Sequence, residues 1–206
     1  MVRFIPVIST FCLLYLVACQ PASESANSYT ANQNDAKIDA LLASMTVAEK
    51  VGQTCQITLD GISAKDANNQ TIEPIKIDSN KLKEALEEYK VGSILNVGAH
   101  TFSLQDWKVV IDAVYSPYVN GKTKVPIIYG IDAIHGVTYT AASTLFPQEI
   151  GLAATWNPDL AYQFGRVTAY ETRASGLHWN FSPVLDLGRS PLWSRHFETL
   201  GEDPYL

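Results

Sequence analysis

Trp179 to Leu206 reads WNFSPVLDLGRSPLWSRHFETLGEDPYL, an apolar run that breaks into charge. A strand buried on both faces of a parallel sheet stays continuously apolar. Here the run Phe181 to Leu187 gives way to Asp186, Arg189, Arg195, His196, Glu198, Glu202 and Asp203 at its carboxyl end. In parallel α/β folds that end of a strand is where sites are built.

Working outward, Leu177 to Leu187 is predicted to be a strand, entered through Gly176 from a helix over Pro158 to Ser175. Asn157 is that helix's predicted N-cap, and Pro158 suits its first turn. Further upstream the alternation repeats. Val125 to Ile131 is a short strand rich in β-branched residues, and Leu104 to Val119 is a helix carrying Val109, Val110, Ala113 and Val114. Val91 to Val97 is a strand, preceded by a helix that Ser79 caps and that runs to Lys90. Val51 to Leu59 is the first strand. Before it come a helix over Asp35 to Ser44 and a second, short one opened by the capping-box pattern Thr46-Val47-Ala48-Glu49. Gly61 to Ile77, polar and holding Asn68, Asn69 and Pro74, reads as a loop. Strands separated by helices in this way describe βα units, so the predicted fold class is α/β with a parallel sheet. No glycine-rich dinucleotide loop follows any of these strands, which argues against a Rossmann arrangement. Periodicity alone leaves open whether the sheet closes. A (β/α)8 barrel takes about 250 residues and eight strands, against the four strands predicted here. Asp203-Pro204 resembles the start of another helix, so the sequence is expected to stop in mid-fold.

The 206 residues are 47% hydrophobic and 17% charged, a composition able to build a sizeable core. Net charge is −6, and no basic cluster exceeds Lys81-Leu82-Lys83, which argues against a nucleic-acid partner. Residues 1–18 carry Arg3 and then the apolar run Phe4 to Val17, a secretory signal pattern too short for a membrane span. It ends Leu16-Val17-Ala18-Cys19, which resembles a bacterial lipobox, the alternative being an ordinary signal peptide cut nearby. Cys19 is therefore the expected lipidation site, giving a membrane anchor at the bacterial cell envelope, periplasmic or outer-membrane. Residues 19–34, with Ser, Ala, Asn and Gln, read as a flexible tether, and residues 35–206 as the folded part. Cys12 leaves with the signal and Cys19 takes lipid, so Cys55 has no intrachain partner; its apolar setting predicts a buried small residue.

Two constellations carry candidate chemistry. Asp132 follows the strand Ile127 to Ile131 within Gly130-Ile131-Asp132-Ala133-Ile134-His135-Gly136. A carboxylate there can accept from vicinal hydroxyls of a sugar or do acid/base work, and it can equally cap a helix. Arg195 offers a planar fork suited to paired oxygen acceptors, and Trp193, two residues earlier, an apolar platform for a sugar face. Alternatively Arg189, Arg195, Glu198, Glu202 and Asp203 pair among themselves and lock the loop. His135, His178 and His196 lack a metal-ligand spacing, so no metal is expected, and no cofactor either. His100 is expected to be solvated or locally bonded. Ser143 and Ser182 lack a glycine-elbow context, which argues against a serine hydrolase. Tyr162, Phe164 and Tyr170 of the long helix are expected to be core.

These two motifs, with Met45 to Gln53 before them and Thr144-Leu145-Phe146-Pro147-Gln148-Glu149-Ile150-Gly151 onward to Asn157 between them, resemble the N-terminal domain of family 3 glycoside hydrolases, the β-glucosidase group. The resemblance covers about residues 36 to 206. It implies a (β/α)8 TIM-like first domain, of which this chain holds the N-terminal portion, and removal of a terminal β-linked sugar with retention of configuration. By position it makes Asp132 and Arg195 binders of the sugar, and Glu198, Glu202 and Asp203 supports of the arginine. Ser190, Leu192 and Ser194 stand where the family often has Asp, Arg and Gly. The family's nucleophile, acid/base and Lys-His pair would fall beyond Leu206, so these residues alone are expected to be inactive. The implied partner is an oligosaccharide or β-glucan. The alternatives are a non-catalytic carbohydrate-binding lipoprotein, or a β-xylosidase or N-acetylglucosaminidase of the same family.

Overall fold

The computed structural model describes residues 33–98 and 100–205. The signal segment, Cys19 and nearly all of the tether lie outside the described residues. The chain divides into two units, Met1–Ala40 and Leu41–Leu206; in the first, only the start of helix α1 (Gln33–Ser44) is described.

Four short strands, β1 (Gln56–Thr58), β2 (Ser93–Leu95), β3 (Ile128–Ile131) and β4 (Trp179–Asn180), form one sheet in sequential order, every pair parallel. This is the order of consecutive strands in a (β/α)8 barrel, so the predicted α/β class and the part-barrel architecture hold. Between the strands lie α3 (Ser79–Lys83), α4 (Leu104–Val119), α5 (Glu149–Ala153) and α6 (Pro158–Ala174); α2 (Val47–Gln53) precedes β1.

Local chemistry sets the helix starts. Thr46 and Glu49 complete a capping box on α2, and Ser103 and Asp106 a second on α4. The bond from the Thr46 N–H, reinforced by Lys124 at 3.1 Å, holds the Glu49 carboxyl down at about 2. Asn157 Oδ1 accepts from the N–H groups of Asp159 and Leu160 with Pro158 at the first turn, as the sequence predicts. The apolar stripe of α4 packs Trp107, Val110 and Val114 onto Ile94, Tyr129 and Ile131 of the sheet, all essentially inaccessible. Trp107 meets Tyr129 edge to face at 5.6 Å, and its indole N–H donates to Thr140 Oγ1 at 2.8 Å. Burying an aromatic ring of this kind is worth about 1.5–3 kcal/mol, which makes this ring pair a large part of what fixes α4 on the sheet. Gly130 allows the next strand to approach, since a Cβ there would stand 2.3 Å from Phe181 Cζ.

Several expectations need correction. The strand predicted over Leu177 to Leu187 is regular only at Trp179–Asn180. Beyond it, side chains take the backbone donors: Ser182 N–H bonds Asn180 Oδ1 at 3.3 Å, Val184 N–H bonds Glu149 Oε2 at 3.0 Å, and Pro183 has no N–H to give. Val51 to Gln53 belong to α2 rather than to β1. Asp78, not Ser79, caps α3, because the carboxylate reaches both Asn80 N and Lys81 N; the segment then widens to a π turn over Glu84–Glu88. Cys55 is exposed, not buried: it stands directly before β1, the edge strand of the sheet among the described residues, along an apolar groove shared with Val47, Val51 and Ile57. Of the aromatic residues on α6, Phe164 is buried while Tyr162 and Tyr170 face outward. No helix among the described residues is long and apolar enough to cross a membrane.

Candidate active site

All four strands end toward one face, and the segments that follow them carry its polar groups: Asp60 after β1, Asn96 after β2, Asp132 after β3, and the Asn180–Ser182 stretch at the end of β4. Asp132 is held from two sides. Its backbone N–H donates to Asn96 Oδ1 at 3.0 Å, and its Oδ2 accepts from Asn96 Nδ2 at 2.7 Å. The next peptide is fixed as well, with Ala133 N–H on Asn180 Oδ1 at 3.0 Å. Asp132 is therefore not a helix cap; its carboxylate is steered by a neighbouring loop.

The loop that follows folds back through His135. Phe146 N–H donates to its carbonyl at 2.9 Å, and its Nδ1 lies 3.2 Å from the Phe146 carbonyl oxygen. Gly136 makes the turn with φ +94, and a Cβ there would stand 2.1 Å from the Thr144 carbonyl oxygen, so this position requires glycine.

Asp132, Ile134, His135, Thr138, Tyr139, Gln148, Arg195 and Glu198 line one cleft of about 350 Å³. Asp132 and Arg195, the two candidate sugar binders, thus meet at one cavity. Arg195 Nε and Nη2 both bond Glu198 Oε2, each at 2.6 Å, leaving other guanidinium donors for a ligand. Glu198 raises the arginine above its ordinary value, by hydrogen bond and then by charge, and the charges of Asp132 and Asp186 add to this. Burial raises the Tyr139 hydroxyl, as do the charges of Asp132 and Glu198, which line the same cleft. The cleft can therefore offer carboxylate acceptors and guanidinium donors to a polyhydroxylated ligand.

The structure leaves Trp193, Glu202 and Asp203 outside this lining. Trp193 is half-buried, with its N–H on the Ser190 carbonyl; Glu202 is exposed; Asp203 Oδ1 accepts from Tyr205 N–H at 2.9 Å. Glu198 alone of the three acidic residues pairs with Arg195 among the described contacts. His100 does not line this cleft; its Nδ1 lies 2.7 Å from Oε1 of Glu73, in the loop between β1 and α3.

Sequence reasoning missed Asn96 and Glu149. Asn96, with φ 47, falls inside the strand predicted over Val91 to Val97 but stands directly after β2 as it forms, and an asparagine two residues before Gly98 was the available signal of an earlier strand end. Glu149 opens α5 but is 1% exposed; its Oε1 accepts from Ser182 Oγ at 2.8 Å and its Oε2 from Val184 N–H. Burial raises its carboxyl against the lowering effect of those two bonds, with a smaller raising contribution from the charge of Glu198. Its partners lie 33 and 35 residues away, so nothing adjacent in sequence marks it. No cluster of His, Cys, Asp and Glu able to hold a metal occurs among the described residues.

A model of the family described as "Glycosyl hydrolase family 3 N terminal domain" matches residues 46–206. The lysosomal beta glucosidase of Dictyostelium discoideum is 35% identical over 181 residues, covering 84% of this chain and 21% of that protein. The periplasmic beta-glucosidase of Salmonella typhimurium is 33% identical over 177 residues, covering 86% and 20%. Among solved structures, the exo-1,3/1,4-beta-glucanase of a Pseudoalteromonas species aligns with a TM-score of 0.66 at 29% identity, over 82% of this chain and 20% of that one. The chain spans about a fifth of the length of the curated relatives it matches.

Proposed function

Since the chain belongs to glycosyl hydrolase family 3, whose N-terminal domain it carries, we propose that it supplies the sugar-binding part of a site that removes terminal β-linked glucosyl residues. The observation that carries this reading is the shared cleft of Asp132 and Arg195 at the carboxyl ends of the strands. In it Asp132 accepts from sugar hydroxyls, Arg195 donates to ring substituents, and Glu198 orients the guanidinium. The chemical step in the whole protein is a retaining double displacement. One carboxylate attacks the anomeric carbon and another gives and then takes back the proton, at a separation of about 5 Å. Neither of these is assigned to a residue of this chain. Asp132 and Arg195 act by holding the ring so that the anomeric carbon meets the nucleophile, which is transition-state positioning rather than bond making.

The panel that tests this is 4-nitrophenyl β-D-glucoside, β-D-xyloside and N-acetyl-β-D-glucosaminide with the full-length protein. We expect kcat/KM to favour the glucoside by about tenfold or more, the scale a site gains from contacts to one substituent. A preference for either other sugar moves the assignment within the family, and no turnover of any of them favours a non-catalytic sugar binder.

The naming of the Salmonella relative supports an exported protein, and the Leu16 to Cys19 tetrad supports lipid attachment at Cys19 after loss of residues 1–18. Growth with a radiolabelled fatty acid should label the protein, and Cys19→Ala should abolish the label. An unlabelled wild-type protein removes the anchor from the account.

A further inference from the structure

We propose that Asn96 is a positioning residue for Asp132: it does not line the cleft, yet it dictates where the carboxylate points and which of its oxygens faces the ligand. This rests on the reading of Asp132 as the sugar acceptor. Three observations carry it. The amide of Asn96 meets Asp132 twice, at the backbone N–H and at Oδ2, so the bond to Oδ2 leaves Oδ1 as the oxygen without a partner in the Asn96 amide. Asn96 is itself immobilised from beneath. Its N–H donates to the Gly130 carbonyl at 3.1 Å, and its carbonyl accepts from the Tyr129 hydroxyl at 2.7 Å, on a ring buried against Trp107. Its backbone lies in the left-handed region with φ 47, a conformation that only a few residue types besides glycine hold readily and that asparagine tolerates. The asparagine thus combines a backbone shape with a donor and an acceptor on adjacent atoms. Leucine or alanine would supply none of the three.

A carboxylate that hydrogen-bonds hydroxyls must be fixed in rotation as well as in place, because misplacement of about 1 Å can cost about a hundredfold in rate. Asn96 supplies that restraint from outside the cavity, without occupying the space a sugar ring needs. Its removal therefore frees Asp132 to rotate while leaving the cleft lining intact.

Two substitutions separate positioning from mere structural support. Asn96→Gly keeps the backbone accessible and deletes the amide; we expect kcat/KM on 4-nitrophenyl β-D-glucoside to fall about tenfold, evenly across pH. Asn96→Asp is isosteric. When the introduced carboxyl is protonated it can still donate to Asp132, but when ionised it sets two negative charges side by side. The ratio of variant to wild-type kcat/KM should therefore lie within about threefold of one at pH 5 and fall below about one tenth by pH 8. Recovery at acid pH is the signature, since a purely structural role would leave the ratio flat. Unfolding midpoints of both variants serve as the fold control, and should Asn96→Gly fail to fold, the pH course of Asn96→Asp decides. A flat ratio for Asn96→Asp overturns the proposal while leaving the role of Asp132 standing, provided Asp132→Ala is itself severely impaired. Full activity of Asp132→Ala overturns both.

Discussion

Replacing Asp132 by alanine is expected to lower kcat/KM on 4-nitrophenyl β-D-glucoside by about 10²–10⁴-fold in the full-length protein, with the fold intact. A hydrogen bond to a charged group contributes about 1.5–3 kcal/mol, and a carboxylate gripping vicinal hydroxyls makes two of them. Each 1.4 kcal/mol is about a factor of ten in rate when the interaction tightens in the transition state. Alanine also strips Asn96 Nδ2 of its acceptor at 2.7 Å, which adds to the loss. Asp132→Asn, which keeps the shape and loses the charge, should fall between the alanine variant and the wild type. Near-normal hydrolysis by a folded Asp132→Ala protein would refute the sugar-binding role.

The second large effect is on stability, at Glu149. Glu149→Leu should cost about 3 kcal/mol in urea unfolding, because Ser182 Oγ and the buried Val184 N–H both lose their acceptor, at about 1–3 kcal/mol for each group left unpaired. Glu149→Gln should cost far less. Its amide oxygen can take the Val184 N–H while its NH2 donates to the Ser182 hydroxyl, which can turn to accept. The two variants also differ in pH dependence. Burial raises the Glu149 carboxyl above 4.5, so the folded chain holds this proton more tightly than the unfolded one. The stability that this preference supplies is complete below the ordinary glutamate range and is lost as pH rises through the raised folded value. Wild-type stability relative to Glu149→Gln should therefore decline as pH rises above about 4.5. Equal urea midpoints for Glu149→Leu and wild type, or parallel pH courses for wild type and Glu149→Gln, would show that the carboxylate does not bear this load.

Why some of this was legible in the sequence and some not follows from the range of the forces involved. Helix starts such as Thr46 to Glu49 and Asn157-Pro158 are written within four residues, and they form where read. The parallel α/β class followed from the alternation of periods. Asp132, Arg195 and Glu198 stand in motifs dense with chemistry, and they share a cleft. By contrast the end of β4 depends on a side chain 35 residues away, since Glu149 takes the Val184 N–H that a longer ladder would have used. Asn96 is likewise 36 residues from the aspartate it holds, and locally it looks like any turn asparagine. Cys55 was misjudged because hydrophobic neighbours in sequence say nothing about whether a strand lies at the edge of a sheet. Trp193, placed beside the sugar on the assumption of extended chain, sits in a turned segment where alternation no longer holds.

The fastening of Asp132 from below, through Asn96 and Tyr129 instead of through its cavity neighbours, separates what grips from what shapes. Ile134, Thr138, Tyr139 and Gln148 border the cavity without supporting the aspartate. On the proposed sugar-binding role of Asp132, exchanges at those wall positions would retune which pyranose is accepted while the carboxylate keeps its aim, so grip and taste for a particular sugar would sit on separate sets of residues.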